Sequence, residues 1–326
     1  MLDVRAFDVD RASDAEWDEL HELQFSAYQL EFPERPALTR QETISALRAP
    51  QVQAGEQLVW TAYRDGRLVA RAIVNLPADG NRHLAVVRIQ VRPEVRRQGI
   101  GTEFLRTAEA MLRDRGRTQV EGWNLTVGGP GESWAQRLGF RFVHTTVLQI
   151  LELGDVDRGR WEVAVPSGYR LARWIGAAPE DLVEAFAKAR AAIGDAPLGE
   201  SELGAVEWTA DRVRRVETSY RERDIEHRTV VAVGPGGEVV GLTEMEVRPL
   251  MPERLRQGDT AVLAAHRGHR LGLAMKAAML RWFTADRVDA AQVWTATGAG
   301  NTHMIEVNHR LGFATERAFS VVSRSL

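Results

Sequence analysis

The sequence predicts two α/β domains in tandem, each a mixed sheet flanked by helices, and three observations carry that prediction. An arginine-rich glycine turn between a strand and a helix occurs twice, as Arg96-Arg97-Gln98-Gly99-Ile100-Gly101 and as Arg267-Gly268-His269-Arg270-Leu271-Gly272. A tryptophan follows the last glycine of each turn by 22 residues, at Trp123 and Trp294. Each copy then closes on Leu-Gly-Phe, at 138–140 and 311–313. The polar stretch Gly154, Asp155, Asp157, Arg158 and Gly159 breaks the pattern, so the expected domains are residues 1–155 and 156–326.

In the first half, Ser13 precedes Glu16 at capping-box spacing and starts a helix over 14–30; Thr39 and Glu42 repeat the device for a helix over 39–47. Asp65-Gly66 joins strands over 58–63 and 68–74, a hairpin signal. Val87, Ile89 and Val91 alternate with Arg88, Gln90 and Arg92, a half-buried strand. Phe104, Leu105, Ala108, Met111 and Leu112 give the next helix one apolar stripe. Strands near 118–126 and 140–151 bracket a helix at 132–138. The second half repeats this order: a strand near 169–174, helices near 179–192 and 209–223, and strands near 228–233, 238–248 and 259–264. A helix over 271–285 follows, with Met275, Ala278, Met279 and Trp282 as its stripe, then a strand near 292–297, a helix at 301–311 and a last strand at 313–323.

Composition narrows the function. At 326 residues the chain holds two domains of ordinary size, and 44% hydrophobic with 27% charged residues is a soluble globular balance. A net charge of −3 argues against a dedicated nucleic-acid surface. The chain has no cysteine, which excludes disulfides, thiolate metal sites and a cysteine nucleophile. Neither a secretory pattern at the N-terminus nor an apolar run of the roughly 20 residues that cross a bilayer is visible. The expectation is a cytoplasmic protein with no membrane and no nucleic-acid partner.

A helix N-terminus presents unpaired N–H groups and a partial positive charge, so it attracts anions. Glycine lets the preceding backbone approach a phosphate, and arginines add charge-assisted hydrogen bonds. Arg96, Arg97, Gln98, Gly99, Ile100, Gly101 and Thr102 supply all of these parts. Neither copy ends in the Gly-Lys-Ser/Thr of a P-loop. His266 and His269 lack a third ligand, so no metal site is expected. Trp123 and Trp294 are expected to pack in the cores beside the strands.

The turn resembles the signature of the GNAT superfamily of acetyl-CoA-dependent N-acyltransferases, Arg/Gln-x-x-Gly-x-Gly/Ala between a strand and a helix. The first copy matches it fully; the second carries Arg270 at the first glycine, which costs backbone freedom and adds a phosphate partner. The tandem layout is similar to that of the mycothiol synthases. The resemblance implies a splayed central sheet in each domain, with acetyl-CoA (coenzyme A) as cosubstrate. It places the pyrophosphate on the two turns, Arg96 to Thr102 and Arg267, Gly268, His269, Arg270, Leu271 and Gly272. The pantetheine arm would pair with the preceding strands at Ile89, Val91 and Val262, and Asn301 resembles the start of the family's closing helix. Many members carry a tyrosine on that helix; here the positions hold Ala135 and Asn308.

A carboxylate on the central strands is the natural base for an amine. Glu244 and Glu246 share one strand face, and Asp259 precedes the coenzyme-side strand of the second domain, whereas the first offers Arg88 and Gln90 there. Catalysis is therefore expected in the second domain, on Glu244, Glu246 and Asp259. The implied function is transfer of an acyl group to a primary amine of a small molecule; the alternative is a coenzyme A-binding scaffold or sensor without turnover, motivated by the missing tyrosines.

Overall fold

The computed structural model describes residues 2–33, 37–48, 55–78, 80–195 and 199–326. Contacts group them into two compact units, one of Met1–Val143, Ser201–Leu203 and Ser320–Leu326, the other of His144–Glu200 and Gly204–Phe319. The single cut expected at 155/156 and this division differ at 144–155, 201–203 and 320–326. Strand pairing explains the first and last of these stretches, as described below.

The first unit holds β1 (Asp3–Ala6), α1 (Asp14–Glu31), α2 (Arg40–Arg48), β2 (Glu56–Arg64), β3 (Arg67–Leu76), β4 (Leu84–Val91), α3 (Ile100–Asp114), β5 (Gln119–Thr126) and α4 (Pro130–Arg137). Both capping boxes form: Ser13 and Glu16 bond reciprocally, as do Thr39 and Glu42. Asp65 and Gly66 both take positive φ, 52° and 75°, so the hairpin turn matches the strand twist. The strands pair antiparallel from β1 to β4, and β4 then pairs parallel with β5. That parallel pairing stops at Val87–Gly122, so residues 88–91 leave β5 behind. On one face, Phe104, Leu105, Ala108 and Leu112 of α3 pack on Ala70, Ala72, Val74 and Val87; on the other, Trp17, Leu20 and Leu23 of α1 pack on Val59, Leu68 and Ile73.

Beyond β5 the first unit is completed by the end of the chain, because Leu326 N–H donates to Thr118 O at 2.9 Å and Gln119 Nε2 to Ser323 Oγ at 2.8 Å. The strand that follows α4, β6 (Arg141–Glu152), instead pairs antiparallel with β11 (Gln292–Gly298), so residues from His144 onward cluster with the second unit.

That second unit repeats the element order with β7 (Arg170–Ile175), α5 (Val183–Ala191), α6 (Ala210–Glu222), β8 (Glu226–Val233), β9 (Val239–Val247), β10 (Arg254–Val262), α7 (Leu271–Asp286), β11, α8 (Thr302–Arg310) and β12 (Ala314–Ser325), whose last residues belong to the first unit. β7 to β10 are antiparallel, and β10 pairs parallel with β11 only from Arg254–Gln292 to Arg256–Trp294. Met275, Met279, Leu280 and Phe283 of α7 pack on Val230, Val240 and Met245. Neither tryptophan is core: Trp123 and Trp294 are half-buried, and each indole N–H donates at 2.8 Å to the side chain two residues before it, Glu121 and Gln292. Trp123 lies one residue beyond the last β4–β5 pair, and the Arg254 guanidinium lies over the Trp294 ring, 4.7 Å from its centroid. Among the described residues, no helix is long and apolar enough to cross a membrane.

Candidate functional site

The two glycine turns have one geometry. In each, the strand runs into a single 3₁₀ turn, Pro93–Val95 or Ala264–His266, and then into the long helix. The arginine after that turn folds back on the strand: Arg96 Nε donates to Val91 O and Arg267 Nε to Val262 O, both at 3.0 Å. Two left-handed residues follow, Arg97 and Gly99 at φ 65° and 80° in the first copy, Gly268 and Arg270 at 81° and 59° in the second. Glycine and arginine have exchanged places at the two positions. Arg270 therefore keeps the backbone path despite its β-carbon, and each copy carries one arginine where glycine is favoured.

Gly99 and Arg270 are the N-caps of α3 and α7, and neither helix start has a side-chain cap. The first-turn N–H groups, around Ile100, Gly101 and Thr102 or Leu271 and Gly272, so point outward with no intrahelical acceptor. A β-carbon on Gly101 would meet Val91 and Trp134 at 3.6 Å, ordinary contact, and one on Gly272 only Thr260 at 3.9 Å. A cleft of about 570 Å³ abuts the second turn, lined by Gly268, His269, Arg270, Leu273 and the segment 162–166. Arg267 is ion-paired with Asp195 there. His266 Nδ1 lies 3.1 Å from the Tyr169 hydroxyl, and no metal-binding cluster occurs among the described residues. Asn301 caps α8, its Oδ1 accepting from Met304 N–H at 3.2 Å.

Ile89 and Val91 lie on the part of β4 that has left β5, and Val262 on the part of β10 that has left β11, so each stretch offers a free backbone edge. Here the copies diverge. β4 runs in unbroken register with β3. β10 is bulged: Gln257 faces Met245 and Thr260 faces Thr243, so Gly258 and Asp259 together oppose Glu244. A bulge of this kind leaves one backbone group unpaired and re-aims the side chain beside it.

All three predicted carboxylates sit around that bulge. Glu244, 3% exposed, is ion-paired with Arg190, and His227 Nε2 stands 3.3 Å from it. Burial opposes its ionisation, but the Arg190 charge and His227 outweigh burial and hold the carboxyl at about 2. Glu246 is buried between Arg256 at 3.1 Å and Arg248 at 3.5 Å. Asp259 differs: its side chain is 37% exposed, and its ion-pair partner among the described residues is Arg190 at 3.4 Å. Partial burial raises its carboxyl above the ordinary range against the pull of Arg190, and the Glu244 charge adds to the rise.

Sequence reasoning missed the residues that hold this cluster. Arg190 lies on α5 under the Trp208 ring, 3.8 Å from its centroid, and Tyr220 of α6 stacks on His227 at 4.2 Å. The signal for Arg190 was present: it falls on the buried stripe Val183, Phe186, Ala187 of α5, where a charge demands a partner. Of the closing-helix positions, Asn308 is fully buried and donates to Gln149 Oε1 at 2.8 Å, and Ala135 is core.

Residues 17–140 match the family model of the acetyltransferase (GNAT) family. Over the full chain, the structure is similar to a tandem GNAT protein from the clavulanic acid biosynthesis pathway, with TM-score 0.78 and 22% identity, covering 100% of this chain and 98% of that one. The chain has a tandem GNAT fold. A GCN5-related N-acetyltransferase from Sphaerobacter thermophilus shares the GNAT arrangement, with TM-score 0.77 and 16% identity over 99% of this chain and 95% of that one. No curated protein matches the chain. The first glycine turn, residues 96–101, lies within the region that the family model covers, and the second lies outside it.

Proposed function

We propose that the chain is an acetyl-CoA-dependent N-acetyltransferase that acylates a primary amine of a small molecule, with turnover in the second unit. The observation that carries this reading is the bulge in β10, which sets Asp259, the most accessible of the three carboxylates, beside the free edge of a strand that leads into the glycine turn. The turn from Arg267 to Gly272, with its uncapped helix start and adjoining cleft, suits a pyrophosphate. Residues up to Val262 on the free edge of β10 suit the amides of the pantetheine arm. When bound, acetyl-CoA supplies an acyl thioester.

Asp259 takes the proton that an incoming ammonium must lose before its nitrogen can attack. A bulge of this kind leaves a backbone group unpaired, and an N–H so freed at Gly258–Asp259 would donate to the thioester carbonyl oxygen, where charge develops. Arg190, fixed by Glu244 and Trp208, holds Asp259 in place, which makes Glu244 a positioning carboxylate, while Glu246 is taken up by Arg248 and Arg256. Asn308 supplies no phenol, so the departing thiolate takes its proton from water. The first unit has the turn without the bulge and carries Arg88 where the second carries Asp259, which favours a coenzyme-binding role without turnover there. We also propose that the domain division near residue 155 corresponds to these two GNAT copies, and that the protein works in the cytoplasm.

A calorimetric titration of acetyl-CoA into the intact chain, and into Gly101→Glu and Gly272→Glu variants, tests the proposal. Both positions have room for a side chain, and a carboxylate at a helix start supports the helix while repelling phosphate. Binding to the second unit should weaken at least about tenfold in Gly272→Glu, together with turnover. Loss of both in Gly101→Glu alone would move the coenzyme and the chemistry to the first unit. No binding at all would overturn the acetyltransferase reading.

A further inference from the structure

Four arginines of the described residues are nearly fully buried: Arg71, Arg92, Arg190 and Arg228. Three of them meet a carboxylate, Arg92 with Glu22 at 2.9 Å, Arg190 with Glu244, and Arg228 with Glu226 and Asp286, both at 2.7 Å. Arg71, 3% exposed, is the exception. Its Nε donates to Gln90 Oε1 at 2.7 Å, across the β3–β4 pair in which the two residues stand opposite. Its Nη1 is buried without a hydrogen-bond partner. The charge that acts on it is a second cation, Arg88, two residues from Gln90 on the same face of β4. A diagonal pair of this kind lies within reach for long side chains.

Among the described residues, neither guanidinium has an ion pair with a carboxylate. Leu68 and Ile73 flank Arg71 on the same strand, under α1. Arg88 is exposed and feels Glu31 at the end of α1, whose Oε1 accepts from the Thr126 hydroxyl at 2.6 Å. The second unit has nothing similar: the counterparts of Arg71 and Gln90, opposite each other in the same register, are Leu242 and Ala261. A guanidinium that folding buries without a counter-ion is strongly destabilising, and an orphaned buried donor calls for an ion or ligand.

We infer that Arg71, Arg88 and Gln90 form an oxyanion-binding site on the α1–α2 face of the first unit, and that its ligand is a small molecule bearing a carboxylate. A carboxylate matches the fork of a guanidinium and, as a monoanion, loses less hydration free energy than a phosphate dianion on reaching a buried cation. The site lies outside the turns that suit coenzyme A and stands whether or not the second unit turns over an amine.

Thermal melting of the intact protein in acetate, inorganic phosphate and chloride at one ionic strength tests it, in the wild type and in Arg71→Met and Arg88→Gln. Acetate should raise the wild-type Tm above that in chloride by about 2 °C or more at saturating concentration. Arg71→Met should abolish that increment while melting no lower than wild type in chloride, because a lone buried cation has gone. Arg88→Gln, an exposed change that leaves folding intact, should reduce it. An equal increment in all three proteins, or none in the wild type, overturns the site. A larger increment in phosphate than in acetate overturns the carboxylate assignment.

Discussion

Where the first unit places Arg88 on an unbroken strand, the second places Asp259 on a bulged one, and this single register change separates two copies that otherwise share their turns down to one 3.0 Å hydrogen bond. The turn depends on backbone: a fold-back arginine, two left-handed residues and an uncapped helix start. The strands leading to it carry side chains, and those have changed sign. Around Arg71 and Arg88 the first unit gathers positive charge without an ion pair among the described residues, whereas around Glu244, Glu246 and Asp259 the second gathers carboxylates matched by Arg190, Arg248 and Arg256. A duplicated scaffold can so keep one ligand-binding device and diverge in what it does next to it.

The sharpest way to break this comparison is Asp259→Asn. If Asp259 is the base, the change should lower kcat by about 10²- to 10⁴-fold while coenzyme A affinity stays within twofold. The pH profile gives a second readout. A base works in its ionised form, and the Asp259 carboxyl is raised, so kcat/KM should fall as pH drops through a value above the ordinary aspartate range. That acidic limb should vanish in the variant's residual activity. An unchanged profile would assign the limb to the amine itself, and unchanged kcat would remove Asp259 from the chemistry. Arg88→Asp in the first unit should create no activity, because β4 runs against β3 without the bulge that re-aims Asp259 in the second unit.

A smaller effect separates the cores. Lys276 of α7 is 1% exposed, 5.5 Å from the Phe313 ring, with no ion pair among the described residues, while its counterpart in the first unit is the core residue Leu105. Burial lowers its ammonium to about 7. Between that value and the unfolded value near 10.4 the unfolded chain binds more protons, so wild-type stability rises with pH across this window. Below pH 7 both states are protonated and the folded state carries the full burial penalty. Lys276→Met should therefore be more stable than wild type at pH 6, by on the order of 1–3 kcal/mol in denaturant unfolding, with the gain shrinking toward pH 10. A loss of stability at pH 6 would mean that the ammonium has a favourable partner in the fold.

Much of this was legible in the residues. Caps located the first two helices, since Ser13–Glu16 and Thr39–Glu42 form the capping boxes that their spacing suggests. The turns were legible because their physics is local: a few backbone angles, glycines and arginines within one short segment. What failed to show was long-range. No sequence pattern reveals that β6 leaves its own copy to pair with β11, because either partner satisfies the same alternation. The bulge was equally hidden, since Gly258-Asp259 reads as an ordinary interruption and the expected strand began only at 259. The pairing of Glu244 with Arg190 joins residues 54 apart in the chain, and only the meeting of α5 with β9 brings them together.

The exchange of glycine and arginine inside the turns gives the smallest test. Arg270 holds φ 59° at the position where the first copy has Gly99 at 80°, and Arg97 holds 65° where the second has Gly268 at 81°. A left-handed residue with a β-carbon is disfavoured by roughly 1–2 kcal/mol, partly offset because glycine leaves the unfolded chain more freedom. Arg270→Gly should then stabilise the protein by up to about 1 kcal/mol, and Arg97→Gly by a similar amount. If both arginines are present for phosphate, each gain in stability should come with weaker coenzyme A binding at its own turn. A gain without weaker binding would make the arginines incidental to the ligand and leave the backbone N–H groups to hold the pyrophosphate alone.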